Sequence, residues 1–163
     1  MKMPVSNVKT NDIEVSYSWG NYDALLKWLV ANNKRQIDNF LSNNSKGKYP
    51  LIWLTDEWVS KKNTPGYKFT DVTFYIAINS KVELLNENRE DNFKTLYDIS
   101  NQFINELKKY GKIAENSIEY EEKANLTLVK KTDKTQAIDI WDAVILKMDY
   151  LVFTHCLKQM CSL

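Results

Sequence analysis

The sequence predicts an α+β fold, in which an antiparallel sheet is covered by two amphipathic helices. Two segments carry apolar residues at spacings of three and four, which is typical of helices with one buried face. Two others alternate apolar and polar residues, which is typical of strands. A turn at Pro65 and Gly66 joins neighbouring strands, and short turns favour antiparallel pairing. The 163 residues suffice for a single domain with one core.

The first helix is predicted over residues 22–41, where apolar side chains recur with helical spacing. Asn21 or Asp23 is a suitable cap for its start. The polar run 43–47, which ends in a glycine, is expected to stop it. Residues 1–18 are polar and weakly patterned, and we interpret them as an N-terminal arm.

Two strands are predicted after this helix. Pro50 leads into a short apolar run, 51–54, which has the length of a buried strand and which residues 58–59 extend. After a turn at 61–66, residues 69–79 alternate regularly between two faces. One face carries Val72, Phe74, Ile76 and Ile78. Together these segments predict an antiparallel hairpin.

The second helix is predicted to begin in the polar stretch 86–92, whose acidic residues suit the positive end of a helix dipole. Its apolar stripe continues to Tyr110, and Gly111 is expected to end it. Residues 112–136 are polar and lack strong periodicity, so we interpret them as a long, mobile excursion that includes a short strand at 124–129.

The last strong signal lies in residues 137–153 and predicts a long strand. Val144, Leu146, Met148, Tyr150 and Val152 are assigned to its core face. The predicted domain therefore has a core at 19–153 and a C-terminal tail at 154–163.

The composition argues against several functional classes. Lys and Arg (22) nearly balance Asp and Glu (21), so a net charge of +1 gives no electrostatic signature for nucleic acid or a membrane surface. Aromatic residues next to a lysine at 67–69, with Tyr75, are the nearest candidate for single-strand binding, and this neutrality argues against it. No segment has the length of a transmembrane helix or the form of a signal peptide. With only two cysteines, an intracellular protein is expected.

The histidine and the cysteines do not predict a catalytic or metal site. His155 is the only histidine and adjoins Cys156, but adjacent residues in a strand point to opposite faces. With Cys161 they form a set of three that lacks a fourth zinc ligand and the usual spacing. We therefore expect no metal and no cofactor.

Three carboxylates are the remaining catalytic candidates. Asp56, Glu57 and Asp71 lie on the two predicted hairpin strands, and paired carboxylates can perform acid–base chemistry. However, they flank a turn, where acidic residues are ordinary surface residues. A deep pocket that holds two of them would favour an enzyme. On the sequence alone, we predict that the chain is not an enzyme.

The order of elements resembles the neck and tail-terminator proteins of tailed bacteriophages. The resemblance covers residues 22–153: a helix, a strand after Pro50, the alternating strand 69–79, a helix with an acidic start at 88–90, and the late strand 145–153. The Asn- and Lys-rich composition suits a phage of an AT-rich host, such as a crAss-like phage. Such proteins form rings, commonly hexamers and in some necks dodecamers, around the channel through which DNA leaves the capsid.

The resemblance implies a structural virion protein without enzymatic activity. It would cap the tail or connect it to the head, contacting copies of itself and neighbouring neck or tail proteins, after assembly in the host cytoplasm. DNA would pass through without specific binding, and no membrane would be involved. Aromatic residues and non-core strand positions are the candidate interface: Trp58, Tyr67, Thr73, Tyr75, Lys147 and Asp149. The alternative is a non-catalytic adaptor domain that binds one protein partner.

Overall fold

A computed structural model describes residues 8–10, 13–41, 49–63, 66–80, 86–130 and 132–153. Within them lie eight strands and two helices. The strands are β1 (Val8–Thr10), β2 (Ile13–Gly20), β3 (Leu51–Thr55), β4 (Val59–Asn63), β5 (Gly66–Asn79), β6 (Lys112–Ile113), β7 (Glu119–Lys130) and β8 (Asp133–Phe153). The helices are α1 (Tyr22–Leu41) and α2 (Asn86–Tyr110), and a 3-10 turn occupies Glu115–Ser117.

All eight strands form one sheet in the order β1-β2-β3-β5-β8-β6. β4 pairs with β5, and β7 pairs with β8. β2 and β3 are parallel, whereas the other pairs are antiparallel. The long strands β5 and β8 pair over almost their whole common length, from Tyr67↔Phe153 to Asn79↔Trp141, and form the centre of the sheet.

The predicted fold class, an antiparallel sheet covered by two helices, is wrong. The structure is mostly β, since more of the described residues lie in strands than in helices, and its mixed sheet curls into a half-barrel. One cause is β2, which lies in the segment that we interpreted as an arm. Because α1 carries the chain from the end of β2 back to the start of β3, these two strands run parallel. The helices also pack against opposite faces of the sheet instead of sharing one.

One face of the sheet, here called the α2 face, packs against α2. Alternate residues of β5 and β8 point to it, including the cross-strand pairs Phe74↔Leu146 and Ile76↔Val144. Phe103 of α2 meets Phe74 edge-on, with ring centroids 4.9 Å apart. Buried residues of β2, β3 and β6 join the same cluster, so the sheet surrounds α2 from several sides.

The opposite face, here called the α1 face, is covered by α1 over part of its area. Leu25, Leu26 and Leu29 pack against Trp53 and Trp141. The backbone N–H of Ala24 donates a 2.8 Å hydrogen bond to Asn21 Oδ1, so of the two predicted caps Asn21 is the one that caps α1.

The segment predicted as a mobile excursion is largely part of the sheet. β7 and β8 pair as a long hairpin from Glu119↔Lys147 to Lys130↔Asp133, with irregular register between Lys123 and Leu126. The predicted alternation of the last strand is also wrong near its end, because Leu151 is buried and Tyr150 is exposed. Opposite this point, Asp71 has a φ of 56°, and the strands change which side chains face the core.

Candidate functional site

A cavity of about 240 Å³ opens on the α1 face, where the start of α1 meets the ends of β2 and β3 and the middle of β7. The residues that line it are four aromatic residues, three leucines, four small or polar residues and two acids. They are Gly20, Asn21, Tyr22, Leu25, Trp53, Thr55, Asp56, Glu57, Tyr75, Leu126, Thr127, Leu128 and Trp141.

Two buried tryptophans form the floor of the cavity, and both indole N–H groups are already engaged. Trp53 Nε1 donates a 3.1 Å hydrogen bond to the carbonyl oxygen of Gly20. Trp141 Nε1 donates to the hydroxyl of Tyr49, which in turn donates a 2.6 Å hydrogen bond to Asp139 Oδ2. The tryptophans therefore present carbon atoms, not donors, to anything that enters.

Gly20 is needed where β2 turns into α1. Its φ is +144°, which L side chains rarely adopt. A Cβ atom there would lie 2.9 Å from the Cβ of Ala24 and 3.4 Å from the ring of Trp53. A side chain at this position would therefore disturb the helix start and the cavity floor together.

Two tyrosines complete the walls. The Tyr22 hydroxyl donates to the carbonyl oxygen of Val129 (2.7 Å) and accepts from its N–H (3.1 Å), which ties β7 to the start of α1. Tyr75 is half-buried and tilted against Trp141, with ring centroids 6.4 Å apart. Burial raises the pKa of Tyr75, and the negative charge of Glu57 raises it further, whereas Lys147 lowers it.

The mouth of the cavity carries two of the three carboxylates that we selected as catalytic candidates. Asp56 and Glu57 lie in the bend between β3 and β4, and both are exposed. Asp71 lies on β5 and does not line the cavity. The structure thus brings two candidates together, at a solvated mouth and not in a buried acid–base pair.

Beyond α1, the α1 face continues as a surface that is exposed except for the half-buried Thr73. This surface, here called the open strip, is made up of Val59, Thr73, Lys147, Asp149 and Tyr150. Thr73 and Lys147 are cross-strand partners and lie side by side. Thr70 of β5 lies between Val59 of β4 and Tyr150 of β8 and pairs with each of them. The side chains of Val59 and Tyr150 are both exposed. Three candidate interface residues of the sequence analysis, Thr73, Lys147 and Asp149, therefore share this strip, and Tyr75 adjoins it at the cavity.

The other two candidate interface residues lie elsewhere. Trp58 is half-buried and packs edge-on against Phe69, with ring centroids 5.1 Å apart, as part of the α2-face cluster. The backbone of Tyr67 pairs with Phe153, but its side chain is outside the described residues.

Neither the tryptophan floor nor Tyr22 was predicted from the sequence as part of a site. Trp53 was assigned to a buried strand, which is correct, and nothing local marks it as lining a cavity. Leu126 and Leu128 belong to the segment interpreted as an excursion, so the wall that β7 supplies was not foreseen.

His155, Cys156 and Cys161 lie outside the described residues. Among the residues that the structure does describe, no three His, Cys, Asp or Glu side chains cluster closely enough to hold a metal ion. In the same part of the chain, neither helix is long and apolar enough to cross a membrane.

Comparison with known proteins gives no relative. No protein-family model matches the chain, and neither a curated protein nor a solved structure matches it.

Proposed function

We propose that this chain is a non-catalytic structural subunit that assembles with copies of itself into a ring, as a neck or tail-terminator component of a tailed bacteriophage virion. The observation that supports the proposal best is the open strip. The resemblance in element order supports the phage assignment, since α1, β3, β5, α2 and β8 occur in this order in the described chain, although β4, β6 and β7 lie between them.

The open strip has the properties of a preformed contact surface. It lies on β4, β5 and β8; the α2-face core holds β5 and β8 in place and β4 pairs with β5, so little conformational entropy is lost when it binds. It mixes exposed apolar side chains, Val59 and Tyr150, with charged ones. Lys147 bonds Glu121 at 3.2 Å, so charges of both signs are available for orienting a neighbour.

Contact through the sheet face is favoured over strand addition. β7 pairs only with β8 among the described strands and leaves a 12-residue edge. However, this edge carries Glu119, Glu122 and Lys123, and an irregular register at Asn125, whose φ is 53°. Charges and bulges on an edge strand hinder pairing with another chain.

A closed ring needs a second, different surface on each subunit, because its contacts are heterologous. Trp19, at the end of β2, is exposed near the opposite edge of the sheet. Tryptophan is enriched in the centres of protein interfaces, so Trp19 is suited to contact the open strip of a neighbour.

Light scattering coupled to size-exclusion chromatography, with negative-stain images, tests the proposal. We expect a closed ring of defined copy number for the native chain. Val59→Glu places a charge in the open strip and should disrupt the ring. Val30→Glu on α1 is the matched control, because Val59 is 48% exposed and Val30 is 49% exposed; it should leave the ring intact.

The outcomes separate the alternatives. A chain that remains monomeric at high concentration would contradict the ring proposal. A monomer or dimer that captures one partner would favour the adaptor domain. A ring that survives Val59→Glu would show that subunits meet through a surface other than the open strip.

A further inference from the structure

We infer that the cavity on the α1 face is a binding site for an alkylammonium group, supplied either by a lysine side chain of a neighbouring copy or by a free organic ammonium compound. The inference rests on the walls, the charges and the size of the cavity. It does not depend on ring formation, because a monomer would carry the same cavity.

The aromatic lining fits a cation. Trp53 and Trp141 form the floor, and Tyr75 and Tyr22 stand on the walls. Aromatic rings attract cations through their quadrupoles, and tryptophan does so most strongly. Because both indole N–H groups bond to protein oxygens, the floor offers no donor to an anion or to a carbonyl group.

The charges at the mouth have the complementary sign. Asp56 and Glu57 are the two charged residues in the lining, and both are negative. Lys123 and Lys147 influence Tyr75 from outside the cavity, but Glu121 bonds both of them, at 2.9 and 3.2 Å. Three carboxylates, two at the mouth and that of Glu121, thus outnumber the ammonium groups of the two lysines. The local charge therefore favours a cation over an anion.

The size of the cavity restricts the ligand to one small group. At about 240 Å³ it is smaller than the roughly 300–1,000 Å³ pockets that hold drug-sized ligands. A nucleotide would not fit, whereas the end of a lysine side chain or a trimethylammonium group would. The acids at the mouth would then face the positive charge, while the aromatic rings and leucines of the lining contact its alkyl groups.

A titration with choline, followed by the indole N–H signals in NMR spectra, tests the inference on the full chain. We expect saturable shifts of the Trp53 and Trp141 signals at millimolar choline. Trp58 serves as an internal control, because it packs with the α2-face cluster. The matched neutral compound, 3,3-dimethylbutan-1-ol, has the same shape without the charge and should bind at least about tenfold more weakly.

Variants separate the contribution of the aromatic ring of Tyr75 to choline binding from that of the two carboxylates at the mouth. The double change Asp56→Asn and Glu57→Gln should weaken choline binding about tenfold, and so should Tyr75→Leu. Tyr75→Phe keeps the aromatic ring and should bind choline almost as the native chain does. Glu90→Gln, on α2 at the other face, is the matched charge control and should change nothing. Thermal melts identify any variant that fails to fold.

Equal binding of choline and its neutral counterpart would overturn the inference, and so would unsaturable shifts. Light scattering in the presence of saturating choline then distinguishes the two sources of the ligand. If choline dissociates an assembly of the native chain, a lysine of a neighbouring copy is the natural occupant. If the assembly state is unchanged while the NMR shifts saturate, the natural occupant is a free ammonium compound.

Discussion

The two faces of the sheet differ in how completely they are covered. On the α2 face, seventeen buried apolar residues from α2 and five strands form one cluster. On the α1 face, nine buried residues form a smaller cluster, and the cavity and the open strip lie next to it. Alternate residues of the same strands thus contribute to a closed core on one side and to exposed surface on the other.

Because of this difference, we expect the α2 face to determine the stability of the fold and the open strip to determine assembly. Residues on the α2 face are fixed by packing, so most changes there should reduce the free energy of unfolding. Residues of the open strip contact solvent, and changes there should leave stability almost unaltered while they affect assembly. A site on strands that are held from behind also has well-defined geometry.

The largest effect is expected from Phe103→Ala, which removes the ring that packs on Phe74 at the centre of the α2 face. Phe103 is fully buried, so the lost contacts and the remaining cavity should reduce the free energy of unfolding by about 3–5 kcal/mol. Urea denaturation followed by circular dichroism measures it.

Val59→Ala on the open strip is the control for this change and should alter stability by no more than about 0.5 kcal/mol. Similar losses for the two variants would contradict the division between a closed and an open face.

A smaller effect is expected from Asp142→Asn. Asp142 is fully buried on β8; its Oδ1 accepts from the N–H of Asn125 (3.1 Å), and its Oδ2 accepts from Asn92 Nδ2 (3.0 Å). It therefore connects the irregular part of β7 to α2. The variant replaces one acceptor by a donor and should cost about 1–3 kcal/mol.

Hydrogen exchange would show which strands Asp142→Asn destabilises. The amides of β7 should exchange faster, while those of β5 keep most of their protection. Asp149→Asn, an exposed change on the same strand, is the control. Uniformly faster exchange in both strands would mean that Asp142 supports the whole sheet and not the attachment of β7.

Local patterns predicted both helices with their observed bounds, Tyr22–Leu41 and Asn86–Tyr110. Apolar periodicity and Asn21 as the cap are properties of neighbouring residues, so the sequence contains them. The antiparallel pairing of segment 51–59 with 69–79 was also predicted, and both strands that begin within that segment, β3 and β4, pair with β5 in this way.

What the sequence did not predict depends on contacts between distant segments. β2 has an alternation at Val15, Tyr17 and Trp19 that could have identified it, but the serines between them made it resemble an arm. Its parallel pairing with β3 depends on where α1 packs. No local sequence pattern predicts the cavity, because Trp53 and Trp141 become its floor only when β7 and the start of α1 are in place.

The smallest effect is expected at the rim of the α2 face, where Tyr97 of α2 donates a 2.7 Å hydrogen bond to Glu122 Oε1 of β7. This bond, with some burial, raises the pKa of Tyr97 to about 12. This pKa exceeds the value of about 10 in the unfolded chain. The hydrogen bond therefore contributes fully to the free energy of unfolding below about pH 10, and this contribution is lost as the pH rises towards 12.

Tyr97→Phe removes this contribution and should cost about 0.5 kcal/mol at neutral pH, since the bond is exposed to solvent. Urea denaturation of both chains at a series of pH values measures it. The difference in stability should be constant up to about pH 10 and disappear near pH 12. Tyr110→Phe, an exposed change at the end of α2, is the control. No difference at any pH would mean that the ring contact with Tyr120, at 6.0 Å, holds β7 against α2, because Tyr97→Phe keeps this ring and removes only the hydroxyl.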